Sequence, residues 1–159
     1  MAYCIDARPS AGVPGEIHTT QLNTVGIVRE FSDGWYIYLS GVASTVSGDW
    51  VCFKTGVYTT ARLTTAMRGG VALATAAVVA SNWGWYGYIG TFTANCLSAS
   101  LSNGYLYATA TAGSAEDLLI KNEQIKGATA TGAPVTATGG GAQTVSINRS
   151  EVGSYDESA

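Results

Sequence analysis

The sequence predicts an all-β fold, a compact β-sandwich or β-barrel-like domain with an extended N-terminal arm and a short C-terminal tail. Three observations point there. Apolar and polar side chains alternate with period two through several runs, the pattern of a half-buried strand. Glycine and Asn/Asp turn signals separate those runs at short intervals, giving about eight strands. The composition is rich in Ala, Thr, Gly and Tyr, with 47% apolar residues, 20 glycines and only 12% charged residues. Charge at that level is about half the usual share and leaves a surface built of Ser, Thr and Gly.

Residues 1–23 mix Tyr3, Ile5 and Val13 with Pro9, Gly12, Pro14 and Gly15, and hold no period for long. They read as an arm that orders against a neighbour, the alternative being a frayed terminus. The β-rich domain runs over 24–149. Val25, Ile27 and Arg29 alternate with Gly26, Val28 and Glu30. Ser32-Asp33-Gly34 carries a hairpin turn, and Trp35, Ile37 and Leu39 then face away from Tyr36 and Tyr38. Ser47-Gly48-Asp49 turns the chain into a short strand, Trp50-Val51-Cys52-Phe53.

Thr59–Arg68 fits either a helical turn, from Leu63 and Met67, or a non-helical segment, from its threonines. The small apolar run Val71–Val79 reads as a strand with helix as its competitor.

The organising stretch is Trp83-Gly84-Trp85-Tyr86-Gly87-Tyr88-Ile89-Gly90. Strict alternation puts Trp83, Trp85 and Ile89 on one face and Tyr86, Tyr88 and Phe92 on the other. With large rings on both faces it is expected to be a central strand, its glycines admitting close neighbours.

After the turn Asn103-Gly104, Tyr105, Tyr107, Thr109 and Thr111 alternate with Leu106, Ala108 and Ala110 as another strand. Leu118–Lys126 is either a short helix or a loop feeding a strand at Ile125. Gly127–Gly141 is nearly all Ala, Thr and Gly, and Val145, Ile147 and Arg149 mark a last strand. Residues 150–159 read as an acidic tail, loose or laid over a neighbour.

The chemistry expected of this chain is sparse. The net charge is -3 and the eight Lys and Arg are scattered, which argues against nucleic acid as a partner. No apolar run approaches the roughly 20 residues of a membrane span, so no membrane partner is expected. Residues 1–20 lack the core of a signal peptide, so the product is expected to be made and kept in a cytosol. Cys4, Cys52 and Cys96 are an odd number and widely spaced, so neither a disulfide framework nor a metal clip is expected.

The single histidine, His18, sits among chain breakers and lacks the rigid scaffold that a catalytic base needs. Glu116-Asp117 and Asp156-Glu157 read as solvated pairs. Gly84-x-x-Gly87-x-x-Gly90 lies within a strand and is not a dinucleotide loop. No catalytic residue, metal ligand or cofactor is therefore expected.

Trp35, Trp50, Trp83, Trp85 and Tyr86 are candidates for a carbohydrate-stacking platform. Packing in the core or at a subunit contact is the stronger reading of the same rings.

Gly70-Val71-Ala72-Leu73-Ala74, Gly84-Trp85-Tyr86-Gly87-Tyr88-Ile89-Gly90, Gly104–Gly113 and Ile125-Lys126-Gly127-Ala128 together resemble the head decoration proteins of tailed bacteriophages, also called cement or capsid-stabilising proteins. The likeness covers roughly residues 65–130 and lies in β-rich texture and spaced glycines. It implies a non-enzymatic structural protein of the virion, made in the host cytoplasm and docked on the outer surface of the capsid. Its partners would be the major capsid protein and itself, as a homotrimer. Tyr3, Cys4, Ile5, Trp83, Trp85 and Tyr86 are the candidate capsid or subunit contacts. A virion adhesin or fibre module binding host glycans through its aromatic residues is the alternative.

Overall fold

A computed structural model describes residues 12–97, 104–118, 122–133 and 140–152. The chain is all-β: ten strands join one sheet, and no helix occurs among the described residues. Hence none there is long and apolar enough to cross a membrane. The strands are β1 (Val28–Phe31), β2 (Gly34–Ser40), β3 (Trp50–Phe53), β4 (Thr60–Arg62), β5 (Gly69–Ala74), β6 (Trp83–Cys96), β7 (Tyr105–Ala108), β8 (Ala115–Glu116), β9 (Gln124–Ala130) and β10 (Gly141–Val152).

β6 is the central strand, as its two-sided aromatic pattern predicts. Its first half pairs with β2 and touches β5; its second half pairs with β10 and meets β8. Two circuits of hydrogen bonds share it. One runs β2–β6–β5–β3–β4 and returns through the parallel bridge Ser40↔Thr59. The other runs β6–β8–β7–β9–β10 and back to β6.

Three layers of side chains fill the spaces, and strand parity decides which residue joins which. In β3, Trp50 and Cys52 enter one core with Leu63, Val71, Leu106, Ile125 and Ile147, while Val51 and Phe53 enter a second with Ile37, Leu39 and Tyr86. β5 divides likewise, Val71 and Leu73 against Ala72 and Ala74. A strand apolar on both faces can sit only between two cores. The third layer holds Phe31, Tyr36, Tyr38 and Trp85, partly covered by Val13, Val25 and Ile27. Residues 12–23 of the stretch read as an arm thus include a segment laid on the body, with His18 paired to Trp83 by two backbone hydrogen bonds of 2.8 and 2.9 Å.

Several sequence expectations are corrected. Phe92 does not share the face of Tyr86. In the β2–β6 ladder Trp35 faces Ile89 but Tyr36 faces Gly87, so Tyr88 is an extra residue, a bulge. One inserted residue reverses parity beyond it, and Phe92 packs against Tyr36 with ring centroids 5.4 Å apart. Gly90 follows at φ 139°, a conformation side chains resist.

Val71–Val79 is not strand throughout. β5 stops at Ala74; the next residue, Thr75, donates its hydroxyl to the Trp85 carbonyl at 2.7 Å, and Val78 folds back into the second core. At Thr59–Arg68, where two readings stood open, the non-helical one holds: β4 is followed by a turn. Of the two readings of Leu118–Lys126, the strand at Ile125 agrees with β9, which begins at Gln124, and residues 119–121 lie outside the described chain. β10 continues through Ser150, Glu151 and Val152, the first residues of the stretch read as tail.

Candidate functional site

The aromatic centre comes first, because the sequence singled it out. Trp85 is 0% exposed; its ring lies 5.2 Å from Phe31 and 5.1 Å from Tyr38, both edge-on. The Arg29 guanidinium sits 5.9 Å from its centroid, within cation–π reach. Tyr86, equally buried, points the opposite way into the second core. Trp83 is half-buried at the margin of the third layer. Of the candidate contacts, then, Trp85 and Tyr86 lie inside the folded chain. Tyr3, Cys4 and Ile5 lie outside the described residues. Trp50 is fully buried too, and Trp35, at 40% exposure, is the large ring of the platform set that faces water.

Burial has a titration consequence. It pushes the Tyr86 hydroxyl up to about 12 from its ordinary 10, against a downward pull from the Thr60 hydroxyl. It also raises Tyr36, helped by a hydrogen bond and charge from Asp33, and raises Tyr38 and Tyr88. The unfolded chain therefore releases these protons first as pH rises. Stability should be intact below pH 10 and fall as pH climbs from there toward 12. Urea midpoints measured across that window test it; a flat profile would contradict the burial of these hydroxyls.

Three polar clusters brace the loops. Asp49 is 1% exposed, and its Oδ2 accepts from Arg62 Nε at 2.8 Å and from the Val46 N–H at 3.0 Å. Its Oδ1 accepts from Asn95 Nδ2 at 3.0 Å. Gly113 packs directly on this carboxylate at φ 80°; a β-carbon there would stand 2.6 Å from Asp49 Cγ. The cluster thereby ties the β2–β3 loop, β4, β6 and the turn before β8 together.

Glu123, 7% exposed, receives the Ala66 N–H on both oxygens at 3.0 and 3.1 Å, with Arg68 Nη1 3.5 Å away. His18 is buried with Nδ1 2.9 Å from the Tyr38 hydroxyl, which also accepts the Leu22 N–H, and with Nε2 3.6 Å from Glu16. It latches residues 12–23 to the aromatic layer. Each buried polar side chain here fixes a segment of backbone.

No family model matches this chain, and neither the curated proteins nor the solved structures contain a match to it. Function has to be argued from the surface.

That surface offers a groove of about 490 Å³ between the β3–β4 turn and the loop before β5. Cys52, Phe53, Val57 and Met67 contribute apolar walls, with Lys54 and Arg68 also lining it. Burial raises the Cys52 thiol, and the Lys54 charge draws it partly back.

Elsewhere large apolar side chains face water. Ile17 and Leu22 lie on the latched segment, Trp35 next to the hairpin turn, Tyr105 at the start of β7 and Leu118 beyond β8. Sequence reasoning passed over Glu123 and took Asp49 for an ordinary turn residue. Their partners are 57 and 46 positions away, at Ala66 and Asn95, a separation no local pattern reveals.

Proposed function

We propose that this chain is a structural protein of a phage particle that docks on the outside of the capsid and stabilises it by bridging major capsid protein subunits, acting as a homotrimer. One observation carries the reading. The buried acids Asp49 and Glu123 and the lone His18 are engaged in holding loops, while eight large apolar side chains among the described residues of a low-charge body remain exposed. Such a surface suits contact more than turnover, since apolar area at a patch centre drives association. Low net charge limits repulsion between copies. A shell repeats each contact many times, so a patch of about 800 Å² per partner suffices. The resemblance to head decoration proteins adds to this.

The test is sedimentation of the purified chain with empty heads, followed by imaging. The expected result is saturable binding and three-fold density on the outer shell; a chain left in the supernatant at micromolar concentration refutes the reading.

A further inference from the structure

We propose that Cys96 and Gln143 form an internal thioester, a modification site that takes a primary amine as its substrate. Register is the first argument. β6 and β10 run antiparallel, with Gly141 opposite Cys96 and Gln143 opposite Ala94. Cys96, Ala94 and Val145 all enter the first core, so Gln143, two residues before Val145 on the same strand, faces the same way as Cys96. The two are thus diagonal neighbours, about 7–8 Å apart and less between β-carbons, a span that a long side chain crosses. The residues directly opposite them are small. Gly141 leaves the flank of Cys96 without a side chain, and Ala94 takes little room beside Gln143. Gly140 lets the chain come close at this end, since a β-carbon there would stand 2.6 Å from the Cys96 carbonyl oxygen.

An unpaired amide is the second argument. Gln143 is 2% exposed, and neither its Nε2 nor its Oε1 has a hydrogen-bond partner among the described residues. A primary amide buried in this way carries the cost of two unmet donors and an unmet acceptor. Expelling the nitrogen removes both donors. The Cys96 thiol, 1% exposed, attacks the carbonyl carbon of the Gln143 side chain. The S–C bond forms, the C–N bond breaks, and the thiol proton departs with the nitrogen as ammonia. No oxidant or other reactant enters. Burial then keeps water from the thioester, while a small primary amine opens it, making a new amide at Gln143 and returning the thiol. The bond ties β6 to β10 and closes the second circuit of strands covalently. The site stands apart from the capsid reading, since the purified chain alone reports on it.

The test is the mass of the full chain, purified without added thiol, which would open the bond by exchange. The folded chain is expected to be lighter than its sequence by one ammonia, a deficit absent from Cys96→Ala and from Gln143→Ala. After methylamine treatment and digestion, peptide mass spectrometry should find a methylamide at Gln143 and a Cys96 that iodoacetamide now alkylates. Near-UV circular dichroism checks that each variant is folded. Should the variants not fold, the methylamide at Gln143 decides alone, because an ordinary glutamine does not exchange its nitrogen with methylamine. A folded chain of full mass overturns the proposal, and so does a deficit that persists without Cys96, which would place the loss of ammonia at an asparagine.

Discussion

Replacing Asp49 with alanine should destabilise the fold by about 3–5 kcal/mol, the range for removing one partner of a buried ion pair. The carboxylate is 1% exposed and answers three donors: the Arg62 guanidinium, the Asn95 amide and the Val46 N–H. All three lose their acceptor at once, and buried donors without acceptors carry the larger part of the cost. Arg62 keeps 29% of its side chain in solvent and can turn partly to water, which favours the lower end of the range. Urea unfolding with an unchanged slope measures the loss. In a double-mutant cycle, Arg62→Ala should cost much less in the Asp49→Ala background than alone. A loss below about 1 kcal/mol would mean that the cluster is not the brace its geometry describes.

Trp85→Ala should cost about as much for a different reason, about 3–5 kcal/mol, because a fully buried indole leaves a cavity. Phe31 and Tyr38 would lose their edge-on partner and Arg29 the ring beneath it. Collapse is hindered because residues 12–23 are held from outside by His18 and cannot follow the lost volume inward. Trp85→Phe should recover more than half of the loss. Thermal and urea midpoints of both variants check this, and a near-neutral Trp85→Ala would contradict the packing of the aromatic layer. Against the 5–15 kcal/mol typical of a domain, either alanine variant stands near unfolding.

The strands legible in the sequence were those whose faces differ in character. The hairpin of β1 and β2, the short β3 and the two-faced β6 all announced themselves through alternation around Gly and Asp turns. Pairing was less legible: nothing local says that β6 has β10 beside its second half, or that Ser40 meets Thr59. The reversed parity at Phe92 depends on a bulge at Tyr88, which arises from how β2 and β6 meet and not from either strand alone. Ala128 and Ala130 belong to the first core, yet a run of Ala, Thr and Gly carries too little contrast to mark a strand. Two of the three contact residues read from the aromatic run, Trp85 and Tyr86, are rings that the fold turns inward, because ring density marks packing before it marks a surface.

β6 is complete when the ribosome has made Cys96, but the strand that flanks its second half, β10, starts only at Gly141. Throughout the interval the nascent polypeptide carries Ile89–Cys96 without that neighbour, its amides and carbonyls open to any extended stranger. The charge-poor tract Thr91-Phe92-Thr93-Ala94 has no gatekeeper of its own. Yield in a foreign host should therefore depend on how fast translation delivers the closing strand, and slowing it between codons 97 and 140 should send more product into inclusion bodies.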